Sequence, residues 1–450
     1  MKRRMLAKAG SKIPGKKAAA IVRRTAELIS PSISRYYPLV IESAHGSLVK
    51  DVDGNRFIDF TSGIAVLGTG STHPAVVEAV RRQSAKFLHF SYTDFYYENL
   101  VDLSERLVSL VPGNFRKMVY YGNSGAEAIE AAMKLSRNYT HRPLFLAHSG
   151  SFHGRTMGAL SLTASKPIQR KGSLPLVPDV VHFPFPYCYR CPWKQTFPEC
   201  DYYCVDYFKE QYLETFVPVD DVAAYFFEPI QGEGGYVVPP PQYFQKMEFL
   251  RKEGVLFVSD EIQTGLGRTG RRFGVENFGV VPDMIAIAKG IASGLPLSAL
   301  VAKADVMKSW RPGQHASTFG ANPVAVEAAL ATLEVMKSER LMENARKLGK
   351  HALRRLGEMK DRYEIIGDVR GLGLFIGVEI VRSKRTKERG EKEARQIIDR
   401  CFRNGLLMIT AGRNTLRVIP PLNTKQEVLD DGLDILEGAI SVVNKTVAQG

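Results

Sequence analysis

Two residues of this chain carry the raw material for covalent chemistry, and each stands at the end of an apolar run. In VLFVSDEIQTGLGRTG, Asp260 follows the run 255–258; in MIAIAKG, further along the chain, Lys289 closes a second run and is followed by Gly290. The interval between them has room for one crossover helix, so neighbouring strands of a parallel sheet would deliver an acid and an amine to one rim, where α/β proteins place their ligands. An amine held there can attack a carbonyl and later carry a proton. A carboxylate there can keep a ring nitrogen protonated. Either residue alone reads as a solvated loop position; the pairing is what points to chemistry.

A third feature supplies a place for an anion. The run 118–121 is followed by GNSGAEAIEAAMKLSR, which is rich in strong helix formers from Ala126 onward. A Gly-Asn-Ser-Gly turn opening a helix offers unpaired backbone N–H groups and the positive end of the helix dipole. Taken alone, Ser124-Gly125 is equally an ordinary helix cap.

With SFHGRT, EPIQGEGG and STFGANP, these motifs stand in the order and approximate spacing of the class III aminotransferases, the group containing 4-aminobutyrate and ornithine aminotransferases. The chain resembles that family from about residue 36 onward. The resemblance implies pyridoxal 5'-phosphate as cofactor, fold type I, and a homodimer or higher homo-oligomer. It implies that Lys289 carries the cofactor as a Schiff base, that Asp260 partners the pyridine nitrogen, that Gln263 contacts the ring's phenolic oxygen and that Ile262 packs under the ring. Phe152 would stack on the other face, with His153 and Glu228 also in the cofactor site; Ser124, Gly125 and Ala126 would cup the phosphate, and Thr318 would reach it from the partner subunit. The physical logic agrees: a protonated ring accepts electrons when the substrate's Cα loses its proton, and clamping both faces keeps the Cα–H bond aligned with the π system.

For the substrate, Arg417 in LRVIPPL matches the family's carboxylate-binding arginine, and Glu233 matches the glutamate that can neutralise it. Guanidinium is the natural bidentate partner of carboxylate. Arg155 resembles a second carboxylate position and Ile64 an apolar pocket residue. This set implies an aminotransferase that moves an amino group from an ω-amino acid such as 4-aminobutyrate or ornithine to 2-oxoglutarate. Related amino-acid racemases and epimerases keep the same Lys, Asp, Glu and Arg positions, so that activity is the alternative on the same scaffold.

The elements that must hold these groups follow from the apolar pattern. Runs at 118–121, 144–147, 223–227, 255–258 and 284–288, separated by helical stretches, predict an α/β fold whose mainly parallel sheet lies between helices. Residues 36–60 predict short antiparallel strands around Asp53-Gly54-Asn55. Beyond about residue 336, charged helices alternate with Gly-rich strands, which predicts a smaller α+β domain. The expected division is residues 1–74 as an N-terminal arm and part of the small domain, 75–335 as the large cofactor-binding domain, and 336–450 as the C-terminal small domain.

The chain has 450 residues, 44% of them hydrophobic, enough for a sizeable core. No apolar run approaches the roughly 18 residues needed to cross a membrane. The net charge of +14 owes much to the first 24 residues, which hold nine basic residues and no acid. A solvated tail, a transit peptide and a nucleic-acid arm all share that composition. No apolar core of secretory length follows, which points to the cytoplasm. A basic nucleic-acid-binding protein on an inactive scaffold is the reading from another class; intact Lys289 and Asp260 stand against it.

Four of the five cysteines are clustered, as Cys188-x2-Cys191-x8-Cys200-x3-Cys204. Metal ligation, disulfides and free thiols are all compatible with that spacing. The basic stretch 382–389 is expected to be a solvated loop.

Overall fold

The computed structural model describes residues 13–448. The basic residues Lys2, Arg3, Arg4, Lys8 and Lys12 lie outside that span. At the centre is a seven-stranded sheet in the order Lys117–Gly122, Ser298–Lys303, Met284–Ile287, Leu256–Asp260, Val222–Phe227, Leu144–Ser149 and Val180–Pro184. From Met284–Ile287 to Val180–Pro184 every pairing is parallel, and Ser298–Lys303 runs against both of its neighbours. The expected α/β architecture with a mainly parallel sheet is therefore observed.

The reason lies in the strands themselves. Val222–Phe227, Leu256–Asp260 and Met284–Ile287 are buried at every position, which requires cover on both faces. Successive side chains alternate between two cores. Phe145, Phe226, Val258 and Ala286 pack with Ala128, Ile129 and Ala132 of the helix Gly125–Thr140. Leu146, Tyr225, Phe257 and Ile285 enter the larger core, which includes Ala325, Val326 and Ala329 of the helix Pro323–Ser338.

Two four-stranded sheets flank this centre. In one, Ile41–His45, Leu48–Asp51 and Arg56–Asp59 form an antiparallel meander that Leu406–Leu407 extends in parallel, so segments from opposite ends of the chain share a sheet. In the other, Ile366–Leu372, Phe375–Ile380, Thr415–Val418 and Thr410–Ala411 pair antiparallel. The long helices Leu341–Arg362, Glu391–Arg403 and Gln426–Ala448 accompany them.

Two features go beyond the pattern read in the sequence. Part of the basic N-terminal segment is a helix, Lys16–Leu28, docked by Asp53, which accepts from the Lys17 and Ala18 backbone N–H groups at 3.1 Å each. A carboxylate at a helix N-terminus meets both the unpaired donors and the dipole. The stretch 382–389 is largely exposed, as a solvated loop would be, yet it is anchored. Lys387 Nζ donates to the Tyr189 carbonyl at 3.1 Å and Arg190 Nη1 to the Lys387 carbonyl at 2.7 Å.

The four clustered cysteines form no disulfide and line one small cavity of about 20 Å³. Burial, then mutual repulsion of the thiolates, pushes Cys188 up to about 11 and Cys204 up to about 12. Among the described residues no group of three or more His, Cys, Asp or Glu side chains is placed to hold a metal ion, and no helix is long and apolar enough to cross a membrane.

Candidate active site

The strand Leu256–Asp260 ends on Asp260, and its parallel neighbour Met284–Ile287 stops just before Lys289. Both groups therefore emerge at the carboxyl-terminal rim. Lys289 opens a short turn, Lys289–Ala292, with φ +46, a left-handed conformation that costs a non-glycine residue about 1 kcal/mol or more and persists where packing over-determines it.

The helix Gly125–Thr140 aims its N-terminus at the same rim. Ser124 caps it by accepting from Glu127 N–H at 3.3 Å, while the Glu127 carboxylate accepts from Asn123 N–H at 2.5 Å. The cap leaves the other first-turn N–H groups, those of Gly125 and Ala126, without partners in the helix. A Cβ on Gly125 would stand 2.7 Å from Ile262 Cδ1, so glycine is what lets the loop after Asp260 approach the helix start.

These elements enclose a cavity of about 410 Å³. Ser124, Gly125 and Ala126 form one wall, and Phe152, His153, Ile262 and Gln263 lie around it. Asp260, Glu228, Glu233 and Lys289 bring the charge. Arg417 joins through Glu233, to which its Nη2 donates at 2.5 Å. Ile64, Arg155 and Thr318 are exposed and do not line this cavity. Arg155 lies over the Phe152 ring at 5.8 Å, and Ser317, next to Thr318, accepts from Asn123 Nδ2 at 3.0 Å.

The electrostatics are those of an unfinished site. Asp260 Oδ2 lies 2.7 Å from His153 Nδ1, and both residues are buried, while His153 Nε2 has no partner among the described residues. Glu228 accepts from Phe152 N–H at 2.9 Å and Gly232 N–H at 2.8 Å. Burial nonetheless pushes it up to about 7, with His153 opposing and Asp260 assisting. Burial also lowers Lys289 against the pull of Asp260, Glu233 and Glu228. Glu233 is held below the usual carboxylate range: burial would raise it, but Arg417 and Lys166 outweigh that.

Several contributing residues carried no signal of their own. Tyr236 is fully buried, donates to Gln263 Oε1 at 2.9 Å and stacks on Phe375 with ring centroids 3.9 Å apart. It also lies under the Arg417 guanidinium at 5.5 Å. Lys166 Nζ sits 3.8 Å from the second Glu233 oxygen. Glu261 accepts from Thr264 Oγ1 at 2.5 Å and from the Gly274 and Val275 N–H groups at 2.8 Å each, which fixes the turn carrying Ile262 and Gln263. Tyr236 directly follows EPIQGEGG, so adjacency to that motif was its available signal; Lys166 stands next to none.

The family description "Aminotransferase class-III" matches residues 29–440. The chain belongs to the class III aminotransferases. It is 42% identical over 421 residues to the leucine/methionine racemase of Thermococcus litoralis, covering 93% of this chain and 94% of that one. It is 37% identical over 429 residues to the 4-aminobutyrate aminotransferase of Mycobacterium leprae, covering 95% and 96%. Among solved structures, an amine transaminase from an uncultivated Pseudomonas species, in its pyridoxal-phosphate-bound form, superposes with a TM-score of 0.85 at 28% identity, over 92% of this chain and 98% of that one. Class III aminotransferases are pyridoxal-phosphate enzymes of fold type I.

The residues present fit that cofactor. A helix start with free N–H groups suits a phosphate, Gly125 lets Ile262 close against that helix start, and a buried carboxylate and a half-buried amine face one cavity. Arg417 donates from Nε to the Thr410 carbonyl at 2.8 Å and from Nη2 to Glu233, which leaves buried Nη1 without an acceptor among the described residues.

Proposed function

We propose that this class III aminotransferase transfers an amino group from an ω-amino acid of the 4-aminobutyrate or ornithine type to 2-oxoglutarate, giving glutamate, and that it works as a homodimer. The observation that carries this reading is the Glu233–Arg417 pair, which borders a cavity that also holds Lys289. An ω-amino donor brings no α-carboxylate to the reacting carbon, and the closed pair neutralises Arg417 for it. Glutamate and 2-oxoglutarate do bring one, and opening the pair frees the guanidinium to bind it with two hydrogen bonds. Lys166 offers the released Glu233 a second cation.

Bound pyridoxal phosphate supplies an electron sink that makes the substrate Cα–H acidic. Around it, Ser124, Gly125 and Ala126 would hold the phosphate and Asp260 the ring nitrogen, with His153 orienting Asp260. Phe152 and Ile262 would fix the ring's plane, and Gln263, held by Tyr236, would meet the phenolic oxygen. Lys289, its basicity reduced by burial, would take the proton from Cα. Exposed Thr318 would reach the phosphate of the partner subunit.

A second reading, amino-acid racemase or epimerase, is favoured by the higher identity to the leucine/methionine racemase than to the 4-aminobutyrate aminotransferase. It needs a second proton carrier besides Lys289. Each carboxylate lining the cavity is already engaged: Glu228 by backbone N–H groups, Asp260 by His153 and Glu233 by Arg417. Incubating purified protein with 4-aminobutyrate or ornithine and 2-oxoglutarate decides between them. Glutamate is expected; no glutamate, with D-leucine or D-methionine formed from the L form, would replace the first reading by the second.

A further inference from the structure

A second cleft, larger than the catalytic one at about 550 Å³, lies where the C-terminal ends of the helices Glu98–Leu110 and Pro323–Ser338 meet the start of Leu341–Arg362 and the glycine turn 265–270. Its walls are closely built. Gly267 and Gly270 both have positive φ, and a Cβ on either would press on Met342 or Arg346 of the long helix, so the turn and the helix fit only with glycine there.

The lining has two parts. Leu266, Leu333 and Met336 give an apolar floor, backed by fully buried Phe273. Five cations, Arg106, Arg272, Lys337, Arg340 and Arg346, line the same space with one carboxylate, Glu343. Arg106 pairs with Glu334 at 3.2 Å, Arg272 with Glu276 at 2.8 Å and Arg340 with Glu343 at 2.5 Å. Among the described residues Lys337 and Arg346 have no such carboxylate partner, so the rim keeps an excess of positive charge above an apolar floor. Uncompensated cations beside a water-excluding surface favour a ligand that brings both complements.

We propose that this cleft binds an amphipathic anion, a carboxylate or phosphate monoester carried on an apolar chain, with the chain on the Leu333 and Met336 floor and the head group between Lys337 and Arg346. None of these residues belongs to the catalytic cavity, so the inference stands apart from the reaction assigned above. The head group meets two uncompensated cations, because the other three are already paired.

The probes are decanoate and decyl phosphate, titrated calorimetrically into the holoenzyme, with decanol and decyltrimethylammonium as controls. One site per chain is expected for an anion, at least tenfold tighter than for decanol, and the stronger of the two anions identifies the head group. The double variant Lys337→Glu/Arg346→Glu should weaken it at least tenfold. Leu333→Trp, which fills the floor without touching the charge, should abolish it; thermal unfolding and cofactor absorbance confirm that both variants are folded and loaded. Anion binding unchanged in both variants, or decanol binding as tightly, would overturn the proposal. So would binding that appears only when the oligomer is diluted to monomers, since that assigns the cleft to a second copy of the chain.

Discussion

Two buried charged clusters stand side by side in this protein, and they are built on opposite plans. Around Arg370, the guanidinium donates to Asp368 and Glu379 at 2.8 Å each, to the Tyr187 hydroxyl at 2.7 Å and to the backbone carbonyls of Gly235 and Tyr236. Glu379, with no exposure, also accepts from Arg190 and Tyr187. Apart from one Arg190 nitrogen, its charged groups are paired. Around Lys289, by contrast, His153 Nε2 and Arg417 Nη1 lack partners among the described residues, Lys289 is pushed down and Glu228 up. Saturated buried networks fix geometry, whereas buried groups left short of partners mark where a ligand completes the set. The clusters touch: Arg370 holds the backbone of Tyr236, and Tyr236 holds Gln263.

Breaking the saturated cluster should cost the most stability. Glu379→Ala leaves Arg370 and Arg190 short of a buried counter-charge, and a loss of about 3–5 kcal/mol is expected in urea unfolding of the apoprotein. A loss below about 1 kcal/mol would erase the distinction between the clusters.

Glu233→Gln acts on the open cluster and should cost less stability than Glu379→Ala, because the glutamine carbonyl can still accept from Arg417, while moving function. Arg417 would no longer be neutralised, so kcat/KM for the ω-amino donor is expected to fall about tenfold, with the glutamate half-reaction spared. It also removes a negative neighbour that raises the Lys289 pKa. The neutral amine takes up the cofactor, and its fraction grows with pH, so uptake by the apoprotein should plateau below the ordinary lysine value of 10.5. In Glu233→Gln the plateau should move lower still; a move upward contradicts the assigned charge balance.

Tyr236→Phe, which joins the two clusters, should have the smallest effect. It removes one hydrogen bond worth about 0.5–1.5 kcal/mol and frees the Gln263 amide. A shifted absorbance titration of the bound cofactor is expected with near-normal unfolding; an unchanged titration would make Tyr236 purely a packing residue.

These contrasts explain what was legible in the sequence. Asp260, Lys289 and the Ser124 turn could be read because each sits where an apolar run or helix begins or ends, a local pattern. The buried strands Val222–Phe227 and Leu256–Asp260 could be read for the same reason. Tyr236 and Lys166 could not, because their partners Gln263 and Glu233 lie in other, distant motifs and no periodicity links them. The saturated cluster was equally silent: Arg370 and Glu379 sit in Gly-rich strands, and their pairing depends on how those strands register. The helix Lys16–Leu28 was hidden by its basic composition, since its anchor, Asp53, is in a distant turn.

The central claim is that the amine at the open cluster is the cofactor's anchor. Borohydride reduction of the yellow holoenzyme, followed by digestion and mass spectrometry, tests it most directly. A single pyridoxyl-modified peptide containing Lys289 is expected; modification of another lysine with Lys289 untouched would contradict the assignment.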